Sequence, residues 1–198
     1  MLIERSLMKN LITLSIVSII MILFSGCAGM HYREGVTSLK LQKYPEAIDS
    51  FNTVLEKNPR YPKAHTQLGI AYYKTEMYGK AIFELETAKE LQSRDKRAKL
   101  FLGMAYLRHG KKESAIIEWN SYLEMFPSSY VSELLRKSIV ALKSSEILPE
   151  TVDLMTGSIE TVIAIEDMVR NIALRHRILH NEAFFHRGFS HRGFFPCD

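Results

Sequence analysis

The chain has 198 residues, 46% hydrophobic and 24% charged, the composition of one ordinary globular domain or at most two, which excludes wholesale disorder and a multi-span membrane protein. Its 26 Lys and Arg against 22 Asp and Glu give a formal net charge of +4, too small to argue for nucleic acid without a clustered patch. Two cysteines, Cys27 and Cys197, stand near opposite ends and exclude a disulfide-rich scaffold.

The first element is an export signal over 1–26. Arg5 and Lys9 make a basic start, and the apolar stretch 11–24 is broken only by Thr13, Ser15 and Ser18. It is short for a bilayer crossing, which needs about 20 apolar residues, and it suits the core of a cleavable signal. Phe24-Ser25-Gly26-Cys27 follows, small residues directly before a cysteine. This resembles the lipobox of bacterial lipoproteins, although Phe24 stands where that family prefers Leu, Val or Ile. The resemblance implies cleavage before Cys27, acylation of that residue and retention on a membrane, each buried methylene contributing about 0.8 kcal/mol. Ala28 rather than Asp after Cys27 implies the outer membrane, facing the periplasm. The alternative is an uncleaved anchor in which Cys27 is incidental.

The next elements recur at a spacing of 34 residues. Gly35, Gly69 and Gly103 hold the spacing, as do Ala47, Ala81 and Ala115 and the large residues Phe51, Leu85 and Trp119. Pro59 and Pro127 close the first and third units. "LGIAYYKTEMYGKAI" and "LGMAYLRHGKKESAI" align over their length, and "REGVTSLKLQKYPEAI" aligns through its second half. The pattern resembles the tetratricopeptide repeat (TPR), with units at 28–61, 62–95 and 96–129. It predicts an all-α solenoid of three helical hairpins, in which glycine and alanine allow close approach of paired helices and proline ends a helix by lacking an amide donor.

In that family the first helix of each unit lines a concave groove. The resemblance places Tyr32, Val36, Leu39 and Lys40 on it from unit one, Lys63, Thr66, Ile70, Tyr73 and Lys74 from unit two, and Arg97, Leu100, Met104, Leu107 and Arg108 from unit three. Lys40, Lys74 and Arg108 are related by steps of 34 and form a ladder of positive charge. Chaperone-binding members carry Asn where this chain has Val36, Ile70 and Met104, so their carboxylate clamp is not expected. An apolar floor with a basic edge suits partner segments bearing apolar and acidic residues.

The stretch 130–143 places Val131, Leu134, Leu135, Ile139 and Leu142 on one helical face, and 27–143 is read as the solenoid with this segment as its capping helix. Pro149 and Glu150 open a further helix within 144–174, whose seam of Val152, Met155, Ile159, Val162, Val169 and Ala173 is interrupted by Glu166. It either packs back on the solenoid or pairs with a second copy of the chain. From Arg175 the composition turns to His, Arg and Phe, with "HRGF" twice, and 175–198 is read as a flexible tail. His176 and His180 stand one helical turn apart, and His186, His191 and Cys197 are further donors, but no finger spacing appears and no metal is expected.

No phosphate-binding, dinucleotide, zinc-protease or nucleophile-elbow motif is present, so neither catalysis nor a cofactor is expected. His31, His65 and His109 are read as surface or boundary residues, and the acidic residues as solvated charge on helix faces. The expected function is a lipid-anchored, non-enzymatic scaffold or adaptor in a cell-envelope assembly. The alternative is an accessory regulator of a peptidoglycan enzyme complex.

Overall fold

A computed structural model describes residues 29–144 and 148–189, with side chains as far as Ile178. The signal segment, Cys27 and the last residues of the tail lie outside the described residues. Every regular element among the described residues is an α-helix: α1 over 29–40, α2 Tyr44–Lys57, α3 Pro62–Lys74, α4 Tyr78–Leu91, α5 Lys96–Arg108, α6 Lys112–Met125, α7 Tyr130–Ser144 and α8 Pro149–Phe189. Contacts divide the chain between Pro127 and Ser128 into two compact units.

The first unit holds three helical hairpins at the spacing the sequence predicts. Helices α3 and α5 begin at 62 and 96, and α2 and α6 end two residues before Pro59 and Pro127. Each helix from α2 to α6 packs on its neighbour in sequence, and α3 also packs on α5. Ala47, Ala81 and Ala115 are fully buried. The glycines are where backbones come closest: a Cβ on Gly35 would lie 2.7 Å from Cε1 of Phe51, and one on Gly69 would lie 2.6 Å from Cγ of Leu85. Gly103 stands tighter still against the indole of Trp119. Each hairpin therefore closes a large side chain of its second helix onto a glycine of its first.

The turns inside the hairpins are also periodic. Gln42, Glu76 and Gly110 have φ of 59°, 60° and 78°, the left-handed conformation. In each turn the amide of that residue bonds three residues back (Gln42 to Leu39, Glu76 to Tyr73, Gly110 to Leu107) and the next amide bonds five back (Lys43 to Ser38, Met77 to Tyr72, Lys111 to Tyr106). These are Schellman ends, which satisfy the last carbonyls of α1, α3 and α5. Only the third uses glycine, so Gln42 and Glu76 each hold a backbone conformation that costs an L-residue about 1 kcal/mol.

In the second unit α7 packs on α8. Val131, Leu135, Ile139 and Leu142 are buried, on the face the sequence indicates. The expected solenoid boundary at 143 differs from the contact division, which groups this helix with α8. Of the expected seam of α8 only Ile159 is buried, Val152, Met155 and Val162 are half-buried, and Val169 and Ala173 are exposed; Thr156 and Ile163 are buried beside it. The helix does not end at Leu174 but runs on to Phe189, so the composition change at Arg175 does not mark a helix end. The physical reason is that 175–187 holds no proline or glycine, and Arg, Leu, Ala and Glu are good helix formers.

Candidate functional site

Helices α1, α3 and α5 carry the predicted groove residues, and the structure sorts them into two groups. Thr66, Ile70, Tyr73, Leu100, Met104 and Leu107 are buried, each at most 4% exposed. The expected accessible apolar floor is thus corrected to core packing. On α3 the cause is its contact with α5. The Tyr73 ring meets the edge of Phe101 at 5.4 Å between centroids. The Thr66 hydroxyl lies 2.7 Å from Oδ2 of Asp95, to which it donates. Asp95 also caps α5, its Oδ1 accepting from the amides of Arg97 at 2.9 Å and Ala98 at 3.1 Å.

On α1, Tyr32, Val36 and Leu39 are half-buried against Ala47, Phe51 and Leu68. Tyr32 sets its ring 5.9 Å from Phe51 and 5.3 Å from Tyr61. Burial first, and the neighbouring Tyr61 second, raises its phenol above the ordinary tyrosine range.

The cations form the less buried group. Lys40 and Lys63 are exposed, and Lys74, Arg97 and Arg108 are half-buried. Lys40, Lys74 and Arg108 are the last residues of α1, α3 and α5. A cation there is stabilised by the negative end of the helix dipole by about 0.3–1 kcal/mol, which gives the ladder a structural use at every rung. These positions set one positive charge at the C-terminal end of each of three first helices.

A second periodic set was not read from the sequence as a set. His65 is buried rather than superficial: Nδ1 lies 2.7 Å from Oε2 of Glu84, and Nε2 lies 2.9 Å from the carbonyl of Pro59. One repeat later Lys99, 3% exposed, lies 3.4 Å from Oε1 of Glu118, itself 5% exposed. Glu118 also accepts from Lys89 at 2.9 Å, and Lys99 donates to the Ser121 hydroxyl at 3.0 Å. Glu118 therefore ties α4, α5 and α6 together, and it is not solvated charge. The Tyr106 hydroxyl donates to Glu86, and burial with this bond raises its pKa. The signal was available, because His65 and Lys99, like Glu84 and Glu118, are 34 apart. These pairs join neighbouring helices, with His65, Lys99 and Glu118 buried and Glu84 only slightly exposed, so their role is structural.

Among the described residues no group of three His, Cys, Asp or Glu is placed to hold a metal ion, and no helix is long and apolar enough to cross a membrane.

Family models described as TPR repeat and tetratricopeptide repeat match residues 38–76, 62–95 and 84–130. The search of curated proteins gives no match. Among solved structures, the first TPR domain of Spaghetti (RPAP3), bound to the HSP90 peptide SRMEEVD, is 24% identical over 61% of this chain and 96% of that one, with a TM-score of 0.58. The Yersinia enterocolitica type III secretion translocator chaperone SycD is 15% identical over 60% of this chain and 85% of its own, with a TM-score of 0.57. The Arabidopsis OM64 TPR domain is 13% identical over 59% and 96%, with a TM-score of 0.56. At these identities the likeness is one of fold. With the helix boundaries, the glycine contacts and the family models in agreement, residues 38–130 of this chain are tetratricopeptide repeats.

Proposed function

We propose that the chain is a lipid-anchored adaptor of the bacterial cell envelope, held through Cys27 and capturing acidic segments of partner proteins on its repeats. The observation that carries the capture reading is the set of cations on the first helices of consecutive repeats, with Lys40 and Lys63 exposed and Lys74, Arg97 and Arg108 half-buried. Fields from charges in line add and raise the rate of encounter with an acidic segment. Similar domains support a peptide partner, since two of them are bound to the peptides SRMEEVD and SGPTIEEVD. The Asn positions of the chaperone clamp are Val36, Ile70 and Met104 here, the last two buried, so recognition rests on charge rather than on that clamp.

The anchor reading rests on the segment ending Ser25-Gly26-Cys27, and Ala28 favours the outer membrane facing the periplasm. Two measurements test the proposal. Cys27→Ala should abolish acylation and yield precursor or shed protein; normal processing and membrane retention of that variant defeat the anchor. Capture from membranes, read by mass spectrometry, should recover partners with the native chain and lose them at high salt. Recovery that is indifferent to salt defeats the electrostatic reading.

A further inference from the structure

Helix α8 changes character half-way along. From Pro149 to Asp167 every ionisable side chain is a carboxylate: Glu150, Asp153, Glu160, Glu166 and Asp167. From Met168 to Ile178 every one is a base: Arg170, Arg175, His176 and Arg177. Burial changes in the same place. Ile159 and Ile163 are buried, whereas Ile165, Met168, Val169 and Ile172 are 49%, 55%, 57% and 60% exposed. Those four recur at helical spacing and form one stripe, whose midpoint falls between Met168 and Val169. Beside the stripe, a groove of about 630 Å³ lies between the start of α7 and α8, with Tyr130, Ile165, Val169 and Ala173 in its wall.

The midpoint of the apolar stripe and the point at which the charge changes sign coincide. We infer that the stripe is covered by the same stripe of a second copy, with the two α8 helices antiparallel about a two-fold axis near Met168 and Val169. In that register Ile165 of each chain faces Ile172 of the other, and Met168 faces Val169. The carboxylate half of each helix lies along the arginine half of the other, and the helix dipoles oppose. A parallel pair would set like charge beside like charge for its whole length, which is destabilising. A lipid surface or an acidic peptide would complement only the arginine half, whereas an antiparallel copy complements both halves.

The stripe exposes on the order of 400 Å² of apolar surface per chain, against about 800 Å² a side in a standard interface. The pairing is accordingly weak to moderate and sensitive to salt. It does not depend on Cys27 or on the cations of the repeats.

Site-directed cross-linking tests it on the full chain in membranes of expressing cells. Two differently tagged copies carry Ile165→Cys and Ile172→Cys, both at exposed positions, and the parent chain oxidised in the same way sets the background. Antiparallel pairing predicts that the mixed 165–172 cross-link exceeds the 165–165 and 172–172 cross-links by roughly fivefold or more, and that it falls at high salt. Converting Arg170, Arg175 and Arg177 to Glu in both copies should lower the mixed yield. Confining that change to one copy, and giving the other Glu160→Lys and Glu166→Lys, should restore it. Stronger like-with-like cross-links overturn the antiparallel arrangement. Yields at background overturn the pairing and assign the arginine half to a lipid headgroup or another protein.

Discussion

Adding one methyl group at Gly103 tests the packing logic of the repeats. In the second hairpin the equivalent Cβ would lie 2.6 Å from Cγ of Leu85, with the Ala81 carbonyl at 3.3 Å on the same side. Ordinary carbon contacts lie at about 3.5–4.0 Å, so the deficit is about 1 Å and one element must move. In the third hairpin the obstacle is the fully buried Trp119, a rigid indole with no free end to bend away. Overpacking of this kind costs about 1–3 kcal/mol, while replacing glycine by alanine in a helix returns about 1 kcal/mol. The expected net cost is about 1 kcal/mol for Gly69→Ala and about 2 kcal/mol for Gly103→Ala, the second equivalent to a lowering of the melting midpoint by roughly 8–16 °C for a unit of this size.

Gly79→Ala is the control. Gly79 lies in α4 with open space around it, so only the propensity gain remains and the variant should melt slightly above wild type. Truncating the obstacle should relieve the clash, so Gly103→Ala with Trp119→Leu should cost less than the sum of its parts, because it reproduces the glycine–leucine arrangement of the second hairpin. Thermal and urea unfolding followed by circular dichroism read all of these. If Gly103→Ala melts with Gly79→Ala, the glycines are not contact points and the reasoning fails.

Three further groups of substitutions probe the buried ion pair, the hairpin turns and the cations. Glu118→Gln should destabilise by about 3 kcal/mol, because the buried Lys99 would lose the carboxylate it lies against and keep only neutral partners; an unchanged midpoint in urea would contradict this. Gln42→Gly and Glu76→Gly should each stabilise by about 1 kcal/mol, and Gly110→Ala should destabilise by a similar amount, since only glycine occupies the left-handed region without strain; unchanged stability in all three would refute the turn assignment. Replacing Lys40, Lys74 and Arg108 together by Glu should weaken capture of acidic segments and remove most of its salt dependence, while each reversal also costs up to about 1 kcal/mol at a helix end; a folded triple variant with unaltered capture would show that the ladder serves the helix ends alone.

The hairpins were legible because their packing demands residue types. A helix contact closed by a large side chain accepts only glycine opposite it, so Gly35, Gly69 and Gly103 print the period directly. The turns were illegible because the hydrogen bonds of a Schellman end are made by backbone, and the chain tolerates Gln42 and Glu76 where glycine would announce the geometry. The groove positions were legible only as register, which sets Lys40, Lys74 and Arg108 at the ends of three first helices but could not tell Ile70 or Met104 on a groove floor from the same residues in a core, since both environments select an apolar side chain. The buried pairs were missed for a related reason: Lys99 and Glu118 look like solvated charge until both are known to face the same interior. In α8 the change of composition at Arg175 does not coincide with a helix end, because a helix can continue through a change of charge without any change of backbone.

The contact between Gly103 and Trp119 also makes the third hairpin self-reporting. The chain has a single tryptophan, and it is fully buried in the last of three stacked units. Its emission follows the wetting of that one interface, while ellipticity sums over every helix. In a linear array, where each unit is stabilised chiefly by its neighbours, end units are free to open before the whole melts. Coincident fluorescence and ellipticity transitions would describe an array that opens as one body, and an earlier red shift would describe one that unzips from its C-terminal hairpin.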